Sequence, residues 1–332
     1  QRDSSLRITF VGSSRKLEKS LMDRYQAHFV PLKIEGLKGM GWKTFKSLFI
    51  LPFSFLKSLG LLLRLKPDLV IGVGGYSSGP IVLLASWLKI PTLIMEQNLR
   101  PGFTNRLLLP WIKKAVVAFE SSLPYFKGKG QFIGNPTREE FLTITPKPRN
   151  SKFTLLIFGG SQGSHFLNKG ITDALPFIKE QKNSLRIIHQ TGQVDLAWVK
   201  DGYLTNGFSD FTVLSFFHDM AEQFKISDLI VCRAGATTIA ELIAAQKAAI
   251  LIPFAQATDN HQVANAKELE RVQGACVITE DEFQPMAFAD KIREFMIHKD
   301  KLDMMEKNLR QLKTANVAAK ISDLCFELME KT

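Results

Sequence analysis

The sequence predicts an α/β chain of two similar domains, each built on a parallel sheet. Three observations predict it. Short β-branched apolar runs alternate with helical segments along the chain, an order that selects parallel strands with helices on the sheet faces. One passage of strand, Gly turn, helix and strand occurs twice. Asp68 to Gly75 leads through a helix to Pro91–Met95, and Asp228 to Gly235 leads through a helix to Ala249–Pro253, at an offset of roughly 160 residues. Between the two copies, Gly134-Asn135-Pro136-Thr137-Arg138 and the Pro/Thr/Lys-rich stretch Thr143–Ser151 read as a linker, and 332 residues suffice for two domains.

In chain order, Leu6–Val11 reads as a strand ending at Gly12, Lys16–Tyr25 as a short helix, and Ile34–Gly41 as a Gly-rich loop. Trp42–Leu65 is rich in Phe, Leu and Lys, and Pro52 breaks or starts a helix within it. The strand Asp68–Val73 precedes a helix from about Pro80 to Leu88. The second half restarts with the strand Lys152–Phe158, running into Gly159-Gly160-Ser161-Gln162-Gly163-Ser164. Strands follow at Leu185–His189, Thr212–Phe216 and Asp228–Cys232, then the helix Thr237–Ala245, then strands at Ala249–Pro253 and Ala275–Ile278. Residues 286–297 and 301–330 read as helices, the last long enough to return to the first half.

The composition, 45% apolar and 23% charged, is that of a globular chain. Cys232, Cys276 and Cys325 are odd in number and far apart, so the expectation is a reducing compartment, with no disulfide framework and no metal-ligand spacing. The net charge of +11 is lopsided: residues 1–150 carry 23 Lys/Arg against 9 Asp/Glu, the remainder 20 against 23. A basic front half implies an anionic partner. No nucleic-acid motif is present, so the expectation is no nucleic acid, and a membrane surface fits better. Within Trp42–Leu65 the longest charge-free run, Ser47–Leu56, is ten residues, too short to span a bilayer, which needs about 20. That segment reads in two ways. It is a buried helix pair with Lys stems reaching out, or an in-plane contact in which Phe49, Phe53 and Phe55 enter the acyl boundary while Lys43, Lys46 and Lys57 meet anionic headgroups.

The chemistry-bearing residues gather at strand ends. A helix opening straight after the Ala234-Gly235-Ala236 turn presents free N–H groups and about half a positive charge, which favours a phosphate. Glu241, one to two turns in, is an acceptor-only side chain able to take both hydroxyls of a ribose. Gly159–Ser164 offers a second cradle with the Ser161 hydroxyl, unless its glycines serve only a tight turn. Arg138 can reach a diphosphate bidentately or be a plain surface residue. Glu96-Gln97-Asn98 ends a strand, where ligand groups collect, or forms a turn and ion pair. Asp259-Asn260-His261-Gln262 suits sugar hydroxyls, or caps a helix. His165 and His189 read as structural. No nucleophile–base pairing and no metal cluster stands out, so the pattern is that of a nucleotide-sugar site without metal.

Seven blocks together resemble one family. They are Gly74–Pro80 (GGYSSGP), Glu96-Gln97-Asn98, Gly134–Arg138 (GNPTR), Gly159–Gly163 (GGSQG), His189–Gly192 (HQTG), Arg233–Ala236 (RAGA) with Glu241, and Asp259–Gln262 (DNHQ) with Asn265-Ala266. In this order they resemble the MurG family, bacterial enzymes that move N-acetylglucosamine from UDP-GlcNAc to lipid I and so form lipid II for peptidoglycan. The resemblance implies an inverting, metal-independent hexosyltransferase with no cofactor. It implies a GT-B fold of two Rossmann-like domains facing a cleft, spanning residues 1–142 with a returning helix at 316–332, and residues 152–315. It implies a peripheral enzyme on the cytoplasmic face of the cell membrane. By the matched motifs, Glu241 holds the ribose, and Gly235, Ala236, Thr237, Thr238 and Ile239 line the donor site. Ser161, Gln162 and Arg138 lie at the phosphates, Gln262 holds the sugar, and Phe217 falls where the family packs the uracil. Asn98 lies near the reacting sugars, with Tyr76 and Glu96 toward the acceptor.

One departure stands out. The family opens with a strand and a Gly-rich loop carrying a His proposed as general base, and this sequence lacks both. The chain begins at Gln1, so the expectation is that it is a fragment of a longer protein. Two alternatives follow: a UDP-GlcNAc 2-epimerase-like enzyme of the same layout, and a non-catalytic nucleotide-binding remnant.

Overall fold

The structure is a computed structural model and describes residues 6–13, 22–23, 25–32, 43–75, 77–145 and 152–330. The expected helix Lys16–Tyr25 and loop Ile34–Gly41 lie almost wholly outside these residues, and Tyr76 lies outside them. The chain divides into two compact units, one of residues 1–134 and 316–332, the other of residues 135–315.

In the first unit, β1 (Thr9–Gly12) pairs in parallel with β2 (His28–Pro31). A 23-residue helix follows, α1 (Lys43–Leu65), and it contains Pro52. Pro52 was expected to break or start a helix; instead the helix runs through it. Among the described residues no helix is long and apolar enough to cross a membrane. Strand β3 (Val70–Gly72), helix α2 (Ser78–Trp87), strand β4 (Thr92–Glu96), helix α3 (Phe103–Leu108), and strands β5 (Lys114–Val117) and β6 (Gly130–Phe132) complete the front portion. Their strands lie in the order β3-β4-β5-β6, all parallel. The core under α1 and α2 is Leu61, Leu62, Val82, Ile94, Ala115 and Val117. Phe55 packs against that core, so it belongs to the buried face of α1, whereas Phe53 is 71% exposed.

The second unit opens with α4 (Glu139–Leu142), then β7 (Phe153–Phe158), α5 (His165–Ala174), β8 (Leu185–Gln190), α6 (Leu196–Thr205), β9 (Phe211–Leu214), α7 (Met220–Ile226), β10 (Leu229–Cys232), α8 (Ala236–Ala245), β11 (Ala249–Leu251), α9 (His261–Arg271) and β12 (Cys276–Val277). Residues 135–142, expected with the first domain, pack here. Phe141 is fully buried with its ring edge-on to Phe224 at 4.9 Å, a contact worth about 0.5–1.5 kcal/mol beyond its area.

Six parallel strands lie in the order β12-β11-β10-β7-β8-β9. All six residues of β7 are buried, as a central strand covered on both faces requires. The chain runs outward from β7 to one side and outward from β10 to the other. The order therefore reverses between these two neighbours, and the loops leaving their C-terminal ends diverge there.

Helices α10 (Pro285–Ile297), α11 (Lys299–Leu312) and α12 (Val317–Glu330) end the chain. The single helix expected over 301–330 is two. Asn316 stands between them with φ +55°, a left-handed conformation that Asn tolerates better than most residues. Helix α12 lies on the first unit, where Ile321, Leu324 and Leu328 pack with Leu93, Val116 and Ile133.

Candidate active site

Phe158, which ends β7, aligns with Cys232 on β10 and with Gln190 on β8. The loops that follow these three strands therefore emerge side by side on one edge of the sheet. Sequence-expected residues from three separate motifs meet there.

The two helix starts at this edge differ. Ser164 caps α5: its Oγ accepts from the Leu167 N–H at 3.4 Å and also from Arg233 Nη2 at 2.7 Å. Helix α8 has Gly235 at its cap and no side-chain cap, and its first internal bond is Ile239 N–H to the Gly235 carbonyl. The N–H groups of Ala236, Thr237 and Thr238 thus precede the ladder. The open positive helix end belongs to α8, while the Gly159–Ser164 loop offers exposed Ser161 and Gln162. Ile239 is 1% exposed, so its side chain is core and only its backbone borders the helix start.

Glu241 is 8% exposed in the second turn of α8. Burial pushes its carboxyl above the ordinary glutamate value, against the opposing pull of Arg138. Arg138 Nη2 donates to Glu241 Oε1 at 3.1 Å, and its guanidinium lies 4.7 Å from the Phe141 ring centroid. Arg138 was expected at a diphosphate; here its partner is the carboxylate expected at the ribose.

The Phe217 ring, expected against a base, is 6% exposed and turned into the core. Its neighbour Phe216 is 43% exposed with His218 edge-on at 5.0 Å. Two consecutive aromatics leaving a strand end face opposite ways, which sequence alone did not settle. Gln262 Oε1 accepts from the Phe254 N–H at 3.0 Å. Asp259 and Asn260 both have positive φ at the start of α9. Asn265, in the same motif, donates from Nδ2 to the Ala234 carbonyl at 3.3 Å and so braces the turn before α8.

In the first unit, Glu96 and Asn98 close the end of β4. Glu96 is 3% exposed and accepts from the Asn98 N–H, Asn98 Nδ2, the Gly102 N–H and Asn105 Nδ2 at 2.8–3.2 Å. Its carboxylate is spent on shaping its own loop.

The roles of three features of the second unit were not read from sequence, beyond the expectation, met here, that His189 is structural. Arg233, 8% exposed, ties the edge together. Besides Ser164 it donates to the Ile252 carbonyl at 3.0 Å, pairs with Glu280 at 2.6 Å, and lies 5.5 Å from the rings of both Phe166 and Phe254. A buried polar chain backs the Gly loop. Burial holds His189 down to about 3, the nearby Asp195 opposing, so the ring is neutral. Asn168 Oδ1 can only accept, so Nε2 of His189 carries the proton and Tyr203 donates to Nδ1, at 3.1 and 2.9 Å. Asn168 Nδ2 then donates to the Thr191 carbonyl and to Asp195 Oδ2. Asp195, raised by burial, is brought below the ordinary value by hydrogen bonds from Asn168, Trp198 and His165. Finally, Gln190 bridges two loops of this edge. The signal was a polar residue at or just past the end of an apolar strand: His189 and Gln190 at the end of β8, Arg233 directly after β10. Among the described residues no group of three or more His, Cys, Asp or Glu could hold a metal.

The glycosyltransferase family 28 C-terminal domain matches residues 154–321, and the family's N-terminal domain matches residues 2–117. The UDP-N-acetylglucosamine--N-acetylmuramyl-(pentapeptide) pyrophosphoryl-undecaprenol N-acetylglucosamine transferase of Myxococcus xanthus is 40% identical over 98% of this chain and 86% of its own length. The crystal structure of Acinetobacter baumannii MurG matches with TM-score 0.80 and 28% identity, covering 97% of this chain and 91% of that one. UDP-GlcNAc 2-epimerase from Neisseria meningitidis, at 11% identity and TM-score 0.68 over 98% of this chain and 92% of that one, shares the fold alone. The two α/β units with parallel sheets are those of the GT-B fold, and the chain belongs to glycosyltransferase family 28, in its MurG branch.

Proposed function

We propose that the chain transfers N-acetylglucosamine from UDP-GlcNAc to the muramyl sugar of lipid I, forming lipid II for peptidoglycan. One observation carries the donor site: where the strand order of the second unit reverses, the uncapped start of α8 stands beside the Gly159–Ser164 loop, with Glu241 buried behind it. The reading assigns the diphosphate to the α8 N–H groups and the Gly loop, with Ser161 and Gln162 beside it. Glu241 accepts from the ribose hydroxyls, and Arg138 is its counter-ion. The exposed Phe216 ring, rather than Phe217, takes the base. Gln262, its oxygen already held by Phe254, offers its amide N–H to the sugar. In the transfer an acceptor hydroxyl oxygen bonds to the anomeric carbon as that carbon's bond to the β-phosphate oxygen breaks. The hydroxyl proton leaves to a base and UDP departs, its charge stabilised by dipoles already in place. Asn98 and Tyr76 are assigned to the acceptor side, with Glu96 shaping the loop that carries Asn98 rather than touching the acceptor.

The acceptor is a lipid, and the first unit has a surface suited to a peripheral membrane contact. Phe53 and Leu56 on α1 are 71% and 66% exposed. Trp87 and Trp111, both exposed, stack edge-on at 6.0 Å, with exposed Lys57, Lys89 and Lys113 in the same unit. Lys43, Lys46 and Phe49 lie on α1, but their side chains are outside the described set. Each buried apolar side chain contributes about 1.5–3 kcal/mol and each basic residue near an anionic surface about 1 kcal/mol. The reading places the enzyme on the cytoplasmic face of the cell membrane.

The test is a transfer assay with UDP-GlcNAc and a soluble lipid I analogue. Formation of the disaccharide product with release of UDP is expected. Conversion of UDP-GlcNAc to its 2-epimer without an acceptor would replace this reading with the epimerase, and UDP binding with neither reaction would leave a nucleotide-binding remnant.

A further inference from the structure

Gln190, the last residue of β8, is 1% exposed and uses both ends of its amide. Nε2 donates to the Gly160 carbonyl at 2.9 Å, and Oε1 accepts from the Phe217 N–H at 2.8 Å. The first partner lies in the Gly loop after β7. The second lies in the aromatic loop after β9. No other side-chain hydrogen bond described here joins these two loops directly.

The geometry has a consequence for a bound anion. In a planar trans peptide the carbonyl and the following N–H point to opposite sides. Gly160 O is held inward twice, by Gln190 and by the Gly163 N–H at 3.1 Å. The N–H of Ser161 therefore points away from Gln190, out of the turn. The same amide fixes the backbone of Phe217, and with it the opposite facing of the Phe216 and Phe217 rings.

We propose that Gln190 is a positioning residue that couples the diphosphate end of the donor site to its base end. The proposal rests on the donor-site reading above. Gln190 touches no substrate; it sets the peptide plane that offers an N–H to the diphosphate and the backbone that presents a ring to the base. Binding at either end then orders the other.

Gln190→Met keeps the length and volume of the side chain and removes both hydrogen bonds. The expected result is a KM for UDP-GlcNAc raised tenfold or more, with kcat and the acceptor KM within threefold of wild type. A merely structural role would lower the active fraction, and so the apparent kcat, and leave KM alone. That outcome, or a KM within twofold, overturns the proposal. If Gln190→Met does not fold, hydrogen exchange on the wild-type protein with saturating uridine decides. Slowing of at least fivefold in the 159–164 segment, beyond the nucleoside's own contacts, is expected. Slowing confined to 215–218, or none, overturns the coupling. Wild-type protein that fails to bind UDP at all overturns the donor-site reading itself, whereas UDP binding with the wild-type KM retained in Gln190→Met overturns only the role of Gln190.

Discussion

Glu241 is buried with one guanidinium for company, and its carboxyl is raised above the ordinary value mainly by burial. A carboxyl whose folded value lies above its unfolded value binds more protons when folded, so stability falls as pH rises between the two values. Ionised Glu241 therefore weakens the fold at neutral pH. Glu241→Gln is expected to leave the Tm at pH 7.5 unchanged or higher, and to flatten the fall in Tm expected of wild type as pH rises above the ordinary glutamate value; thermal melts across pH check it. Arg138 pulls the other way. Arg138→Ala should lower stability at pH 7.5 by roughly 1 kcal/mol, a modest figure because Arg138 is half exposed. The loss should vanish in acid and in the double variant with Glu241→Gln, since neither contains a buried unpaired charge. An equal loss in all three settings would show that Arg138 acts through its packing on Phe141 instead. Such a residue, costly to the fold and set in the second turn after a Gly-capped helix start, is the kind that sequence spacing can find. Its pairing with Arg138 was not legible, because the two lie 103 positions apart.

At the scale of elements, the loops after β7 and β8 interlock. Gly163 has φ +76°, and a Cβ there would stand 2.0 Å from the Thr191 carbonyl oxygen; one at Gly192 would stand 2.2 Å from the Gln162 oxygen. Gly163→Ala is expected to destabilise by roughly 2–4 kcal/mol and to abolish UDP binding before it abolishes folding. Gly60 is the contrast: it lies on the exposed face of α1 with nothing within 4 Å of its Cβ, and Gly60→Ala should stabilise by about 0.5–1 kcal/mol. Chemical denaturation of both variants checks the pair. Most elements of the second unit were legible, because β7, β8 and β10 are apolar runs bounded by glycines or polar turns. Strands β5 and β6 were not: Lys114–Val117 opens on a charged residue after Lys113, and Gly130–Phe132 is Gly-Gln-Phe, so neither reads as an apolar run. The interlock was invisible as well, since it depends on β7 and β8 lying side by side.

For the whole molecule, the excess of basic residues and the exposed Phe53, Leu56, Trp87 and Trp111 lie in the same front half. Liposomes rich in anionic lipid are expected to co-sediment with the protein at 0.05 M salt and to release part of it at 0.5 M, as the screening length falls well below ~10 Å. Phe53→Glu with Leu56→Glu should weaken that binding at least tenfold without change in UDP affinity. Equal sedimentation of the variant would remove α1 from the membrane contact. The two-domain plan was legible because one βαβ unit recurs with nearly the same spacing; the point of division was not, because Phe141 joins the second unit through a contact with a residue far along the chain. The account turns on the donor site at the start of α8. Its most direct test is calorimetric titration of UDP into wild type and Glu241→Gln. A loss of about 1–3 kcal/mol in binding, at unchanged or higher Tm, is predicted; equal affinity of the two proteins would contradict the account.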